Sequence, residues 1–432
     1  MGEHHDVVRA ALPLLPVGAM LVYALTARRL EQLGVTAPMV FVAVGVLVGD
    51  AGLGMVPVNP HAPWFLVVAE VTLALLLFVD AARLRLREVG GDPRPVLRLL
   101  GIGFPLTVVA GTLLVVAVFP EHGWVAAGLL AAILAPTDAA LGSAVVSDRR
   151  VPPRVRRMLA VESGLNDGLA TPVVTVLIAA AASQAGLTGD ESWEMRAIRS
   201  LAVAVVVGAA LGRGGGAILR WCRAREWTSP FSVEVSVLTL ALLCYLVATS
   251  IEANGFVAAF VGGLAFATTT RGQGPGQELV FTETLGLLAS YVVWLTFGAA
   301  MVGPAIARMT GGTVVVALGS LTVARMLPVA LAMLGRGWLP PTIAFTGWFG
   351  PRGLATVIFA LIALESLGST ALADHILDVA SVTVLVSILA HGFSAGPLAA
   401  RYGTWASGLS PDAPELSEVA PLSWRRLGLH HS

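Results

Sequence analysis

The chain has 432 residues, 56% of them hydrophobic and 12% charged, with 27 basic residues balanced by 27 acidic ones; its mean hydropathy is +0.81. Such an apolar excess excludes a soluble domain and a disordered chain, and the neutral balance gives no footprint for nucleic acid. Two cysteines, Cys222 beside an arginine-rich loop and Cys244 inside an apolar run, exclude a disulfide scaffold, and all 27 basic residues are arginine, with no lysine.

A bilayer-spanning helix needs about 20 apolar residues. Thirteen such runs follow in chain order: 8–27, 36–53, 62–82, 97–118, 123–147, 156–183, 198–219, 231–251, 255–269, 280–303, 312–335, 340–365 and 371–395. The ninth is short enough to be a re-entrant piece. The first has no basic flank of the kind a cleavable signal carries. These runs predict an all-α polytopic membrane protein of about 13 transmembrane helices.

Arginines orient the bundle. Alternate loops carry Arg28 and Arg29, Arg83 to Arg98, Arg149 to Arg157, Arg220 to Arg225, Arg271, Arg336, and finally Arg401, Arg425 and Arg426. The loops between them hold only Arg196, Arg199 and Arg308. The positive-inside rule predicts a multi-pass plasma-membrane protein with its N-terminus outside and its C-terminus in the cytoplasm. Residues 1–401 form the membrane domain and 402–432 a short, polar cytoplasmic tail. Residues 184–199 read as an external loop. No nucleotide-binding motif marks an ATP-driven pump.

Ionisable residues inside a span cost about 2.5–3.5 kcal/mol on insertion scales, so each points to a pathway or a partner. In the fifth span, Pro136 breaks the helix beside Thr137 and Asp138; a midplane ion site and a plain proline kink capped by Asp138 both fit. In the sixth, Glu162, Ser163, Asn166 and Asp167 form two polar pairs at helical spacing. Glu162 also suits a cytoplasmic helix start, but Asp167 lies ten residues, or about 15 Å of helix, beyond the end of the arginine-rich loop at Arg157. In the twelfth, Gly350-Pro351-Arg352-Gly353 interrupts an apolar run with an arginine too central to snorkel. Arg352 needs an acidic partner, and Glu162 is the first candidate. Arg325, mid-span in the eleventh, reads as a structural ion-pair residue. In the third span, Asp80 fits an interfacial role as well as an ion role, and Glu70 fits the outer edge. His391, Glu283 and Asp378 take helix-end solvation by default.

Asp138 and Arg352 are 214 residues and seven spans apart. An odd separation makes their helices antiparallel, the pattern of two inverted six-helix repeats (spans 1–6 and 8–13) with crossing broken helices. Crossing breaks bring like helix ends together. Asp138 then offsets the paired N-terminal ends and Arg352 the paired C-terminal ends.

At these residues the chain resembles sodium/proton antiporters of the NhaP and eukaryotic sodium/proton exchanger type, within the monovalent cation:proton antiporters. The resemblance covers about residues 8–395. Its carriers are Thr137-Asp138, the Glu-Ser-x-x-Asn-Asp of Glu162 to Asp167, and the Gly-x-Arg-Gly of Gly350 to Gly353, in order on spans five, six and twelve. Leu77 to Ala81 and Ser387 to Gly392 also resemble members, although Val79 separates Phe78 from Asp80 where other members have no residue. The resemblance implies that Asp167 is the main cation- and proton-carrying carboxylate. It implies that Asn166 helps set up the site, and that Thr137, Asp138 and Ser163 are further metal-ion ligands, directly or through water. Glu162 with Arg352 is then a stabilising ion pair, and Asp80 an acidic neighbour of the cation. It further implies an ion-carrying core of spans 4–6 and 11–13 moving against scaffold helices in a homodimer. No cofactor is expected beyond the transported cation and proton, and no partner beyond the lipid bilayer and a second copy.

Coupling needs no separate sites: cation and proton compete for Asp167, and only the neutralised carboxylate crosses. Related electrogenic antiporters pair their aspartate with a membrane lysine that can release its proton, and arginine cannot do so. The absence of lysine therefore predicts electroneutral 1:1 exchange, of Na+ first and of Li+ or K+ as alternatives. An intramembrane aspartyl protease would use Asp138 and Asp167 but needs a Gly-x-Gly-Asp stretch that Leu165-Asn166-Asp167 lacks. A cation channel is the nearer rival, yet one inverted pair is not a ring of filters. The chain reads as a transporter rather than an enzyme.

Overall fold

The computed structural model describes residues 14–55, 59–83, 93–187, 192–269, 276–368 and 370–416. Residues 8–13 of the first predicted span, the arginines within 84–92, the loop residues 188–191, Arg271 and the tail beyond 416 lie outside the described residues.

Every predicted span has a helical counterpart, and no strand occurs among the described residues. In chain order they are α1 (Leu14–Gln32), α2 (Ala37–Val48), α3 (Pro63–Arg83), α4 (Arg94–Val118) and α5a (Gly123–Leu134) with α5b (Ser143–Val146). Then come α6 (Pro153–Gln184), α7 (Trp193–Ala224), α8 (Pro230–Ser250), α9 (Gly255–Thr269), α10 (Gln277–Ala307) and α11 (Gly311–Met333). The last are α12a (Pro340–Trp348), α12b (Leu354–Leu367) and α13 (Ala371–Ala406). Eight of these are long and apolar enough to cross a membrane, and α2, α9 and α12b are shorter apolar helices. The ninth span is thus one short, unbroken helix.

Prolines write the irregularities. Pro105 and Pro304 each follow a five-residue π-helical turn, Leu99–Gly103 and Gly298–Val302. The wider turn accommodates a residue that has no N–H to donate and whose ring crowds the carbonyl four residues earlier. At Pro136 and Pro351 the helix breaks instead, between α5a and α5b and between α12a and α12b, while Pro172, Pro328 and Pro397 sit inside helices.

Glycines set the closest helix contacts. Along α7, Gly208, Gly212 and Gly216 recur every four residues; a Cβ on Gly208 or Gly212 would overlap the backbone of Ala258 or Gly262 in α9, and one on Gly216 the Thr269 side chain. In an apolar solvent, where burial of hydrocarbon drives little, such close backbone packing is what holds two helices together. Leucines and valines such as Val206, Leu246 and Val323 face outward, as lipid-exposed surface requires.

The end of the chain departs from expectation. Helix α13 continues to Ala406, past the predicted tail start at 402, and a 3₁₀ turn at Pro414–Leu416 folds back on the bundle. Tyr402 and Glu415 are both buried, so the described part of the tail is an integral piece of the domain.

Candidate ion site at the crossing of two broken helices

The two breaks meet. The N–H of Asp138 donates to the Pro351 carbonyl at 2.8 Å, joining the irregular segment after α5a to the one after α12a. One carboxylate oxygen of Asp138 accepts from the N–H groups of Ala140 (2.7 Å) and Leu141 (3.0 Å). The other accepts from Leu354 N–H at 2.8 Å, the first residue of α12b. Asp138 therefore serves the backbone that follows both breaks, where orphan N–H groups collect.

Arg352 serves the opposite sign. Its Nη1 donates to the carbonyls of Ala135 and Pro136 at the end of α5a, its Nη2 to Ser320 O at 3.2 Å, and its backbone N–H to Ser387 Oγ at 2.7 Å. Of these, the Ala135 and Pro136 carbonyls are the ones that the break in α5 deprives of helical donors, while Ser320 O belongs to α11. Both glycines of the Gly-Pro-Arg-Gly stretch are steric necessities: a Cβ on Gly353 would overlap the Asp138 carboxylate, and one on Gly350 the Arg325 guanidinium.

The predicted Glu162–Arg352 ion pair is corrected here. Glu162 pairs with Arg325 of α11 in a two-pronged bridge, 2.7 Å and 2.8 Å, with both side chains almost wholly buried. Arg352 is occupied by the carbonyls of the break, and Arg325 faces Glu162 through the space that Gly350 leaves. The structural ion pair assigned to Arg325 is present, with a partner that spacing along the chain does not reveal.

From Glu162 a chain of hydrogen bonds runs along α6 to the break. Asn166 Nδ2 donates to Glu162 Oε1 (3.4 Å) and to Thr137 Oγ1 (3.2 Å), and Thr137 Oγ1 lies 3.1 Å from Ser163 Oγ. This leaves two acceptors on successive residues of α6: Oδ1 of Asn166 and Oδ1 of Asp167 are buried and accept no hydrogen bond from the protein. Pro172 adds a third feature, since it cannot donate to the carbonyl of Gly168, four residues before it. The carboxylates close enough to act on the Asp167 charge are those of Asp138, Asp80 and Glu162.

Asp80 is brought to the site. A Cβ on Gly164 would stand 3.6 Å from Asp80 Cβ and Cγ, so this side chain packs over α6 one turn before Asp167. Glu70 is not. It lies ten residues back on α3, about 15 Å away, and accepts from the Tyr245 hydroxyl at 2.8 Å. Two helix-end residues instead form bridges: Arg83 to Glu283, and Arg308 to Asp378 at 2.7 Å.

His391, expected to be solvated at a helix end, is instead buried against the second break. Its Nε2 lies 2.9 Å from Trp348 O, the last carbonyl of α12a, and its Nδ1 2.9 Å from Ser387 O. Arg352 thus satisfies the C-terminal end of one half-helix and His391 that of the other. The available signal was its position in the Ser387 to Gly392 stretch, four residues from the serine that holds Arg352.

Crossed half-helices with charge-balanced ends, inside an apolar bundle, define a polytopic membrane protein of the broken-helix architecture. The chain belongs to the sodium/hydrogen exchanger family: the family's transmembrane domain matches residues 17–401. Among curated relatives, the K(+)/H(+) antiporter NhaP of Alkalimonas amylolytica is 26% identical over 394 residues, covering 90% of this chain and 66% of that one. The K(+)/H(+) antiporter NhaP2 of Shewanella oneidensis is 25% identical over 381 residues, covering 88% and 65%. This chain thus spans just under two thirds of the length of these relatives. The fold matches that of the sodium proton antiporter MjNhaP1 from Methanocaldococcus jannaschii, with a TM-score of 0.73 and 22% identity over 92% of this chain and 99% of that one.

Proposed function

We propose that this protein exchanges a monovalent cation for a proton across the membrane by competition at Asp167. The observation that carries the reading is the pair of buried acceptors, Asp167 Oδ1 and Asn166 Oδ1, left without donors beside the crossed breaks. Hard oxygen atoms suit an alkali cation. A lone negative charge is costly at a carboxylate whose Oδ1 is buried without a donor and beside which Asp80 packs on α6. Asp167 is therefore neutralised either by the cation or by a proton, and only the neutralised site changes sides.

In this account Asp167 and Asn166 supply the primary ligands, and Thr137 and Ser163 complete the polar wall. Asp80 adds negative potential. Asp138 and Arg352 hold the breaks in register, and Glu162 with Arg325 fixes α6 against α11. The core helices alternate access by moving against the scaffold, in a plasma-membrane homodimer whose arginine-rich face is cytoplasmic. Exchange is electroneutral, because the chain contains no lysine to carry a second releasable proton.

Na+ is the first choice of cation. K+ is the second reading, favoured by the names of the curated relatives above. Proteoliposomes loaded with a pH dye test both: pulses of NaCl, LiCl and KCl should each be scored for proton movement. A channel would pass cations without moving protons. A current that follows cation addition at symmetric pH would overturn electroneutrality.

A further inference from the structure

The arginine-rich end of the bundle holds a second buried carboxylate that the exchange site does not use. Helix α12a begins at Pro340 with no capping side chain of its own; Pro340 and Pro341 have no N–H and Thr342 N–H turns back to Leu339 O at 2.9 Å, so the group left to satisfy is the N–H of Leu339 at the N-cap. Glu415, nearly eighty residues later, supplies the missing acceptor. Its Oε1 accepts from Leu339 N–H at 3.0 Å and from Thr342 Oγ1 at 2.8 Å, and the side chain is fully buried. Tyr402 of α13 closes the group, with its hydroxyl 2.9 Å from Thr342 Oγ1 and its ring stacked on Phe345 at 4.1 Å.

The neighbouring residue reaches the other site helix. Arg154, in the first turn of α6, donates from Nη1 to Pro414 O at 2.6 Å, and its guanidinium lies 4.8 Å above the Trp338 ring. One short turn therefore grips the ends of both α6 and α12a. The exchange site lies midway along α6 and at the far end of α12a. Asp167 lies thirteen residues, about 20 Å, along α6 from Arg154, and the Gly350–Gly353 break begins at the far end of the nine-residue α12a, about 13 Å from its start.

We propose that Glu415 is a positioning residue for transport: it caps α12a in trans and, with Pro414 and Arg154, clasps α6 and α12a in the register that forms the ion site. The proposal rests on the exchange reading above. Helices are stiff along their axes, so a shift of α12a at its capped end reaches the break that holds Asp138 and Arg352. A contact that only stabilised the fold would change how many molecules are active. A positioning contact changes how well each one binds its cation.

The test uses the full chain in dye-loaded proteoliposomes, with rates normalised to folded protein by gel filtration. Glu415→Ala should raise the apparent KM for the transported cation about three- to tenfold while Vmax per folded molecule stays within about twofold. Glu415→Gln keeps a carbonyl acceptor for Leu339 N–H and should restore KM to within about twofold of wild type. Thr342→Val keeps the charge and the backbone bond and should fall between them. A wild-type KM for Glu415→Ala, or a loss confined to Vmax, overturns the proposal. If Glu415→Ala does not fold, Thr342→Val decides by the same KM criterion. Absence of cation-linked proton movement in wild type would instead overturn the exchange reading, and the clasp with it.

Discussion

The Glu162–Arg325 bridge gives the sharpest energetic prediction. Both side chains are within 2% of complete burial and share two hydrogen bonds, at 2.7 and 2.8 Å. Removing one partner strands a buried charge, which costs about 3–5 kcal/mol, whereas removing both charges leaves none to strand. Glu162→Gln and Arg325→Met should therefore each destabilise by about that amount, and the double substitution by much less than their sum. The coupling energy should reach about 2–3 kcal/mol, the upper range for residues in one network. Glu162→Gln with Arg352→Met should show less than half of that coupling, because the Arg352 guanidinium is bonded to carbonyls and not to Glu162. Equilibrium unfolding in mixed micelles, followed by tryptophan fluorescence, measures all five variants on one scale. A larger coupling for the Arg352 pair than for the Arg325 pair would refute the assignment.

Other substitutions follow from the same contacts. Gly353→Ala places a methyl group against the Asp138 carboxylate and should cost about 1–3 kcal/mol, with a matching loss of exchange. His391→Ala removes one of two contacts of the Trp348 carbonyl, which keeps the Gly350 N–H at 2.8 Å, and should cost about 0.5–1.5 kcal/mol in the same unfolding assay. Gly212→Leu forces α7 from α9 and should lower the yield of folded protein in gel filtration far more than Gly214→Leu, whose position has open space. In the loop before α6, the Arg150 side chain holds the Asp148 carboxyl below the usual carboxylate range. That pair's contribution is present above the ordinary carboxylate pKa and lost as pH falls through the lowered one. Wild type and Asp148→Asn should differ slightly near neutral pH and converge in acid.

What was legible in the sequence was what local chemistry dictates. Pro136 and Pro351 interrupt apolar runs, so both breaks could be placed without knowing their neighbours. Their antiparallel crossing followed from counting spans, and with it the opposite duties of Asp138 and Arg352. Partner choice was not legible, because it depends on how helices far apart in the chain rotate against each other. Spacing pairs Glu162 with Arg352 and names no partner for Arg325, whereas the carbonyls of Ala135 and Pro136 occupy Arg352 in the structure. The Gly208, Gly212 and Gly216 stripe is plain in the sequence, but nothing along the chain names α9 as its mate. Glu415 was hidden for a different reason: polar, proline-rich surroundings look like solvent-exposed tail, and only the uncapped start of α12a explains its burial.

The central claim is that one carboxylate carries both cargoes. Proton flux on addition of Na+, Li+ or K+ to dye-loaded proteoliposomes, wild type against Asp167→Asn, tests it most directly. The account predicts cation-driven proton movement in wild type and none in Asp167→Asn, with the variant folded and dispersed as well as wild type. Exchange that persists in Asp167→Asn would contradict it.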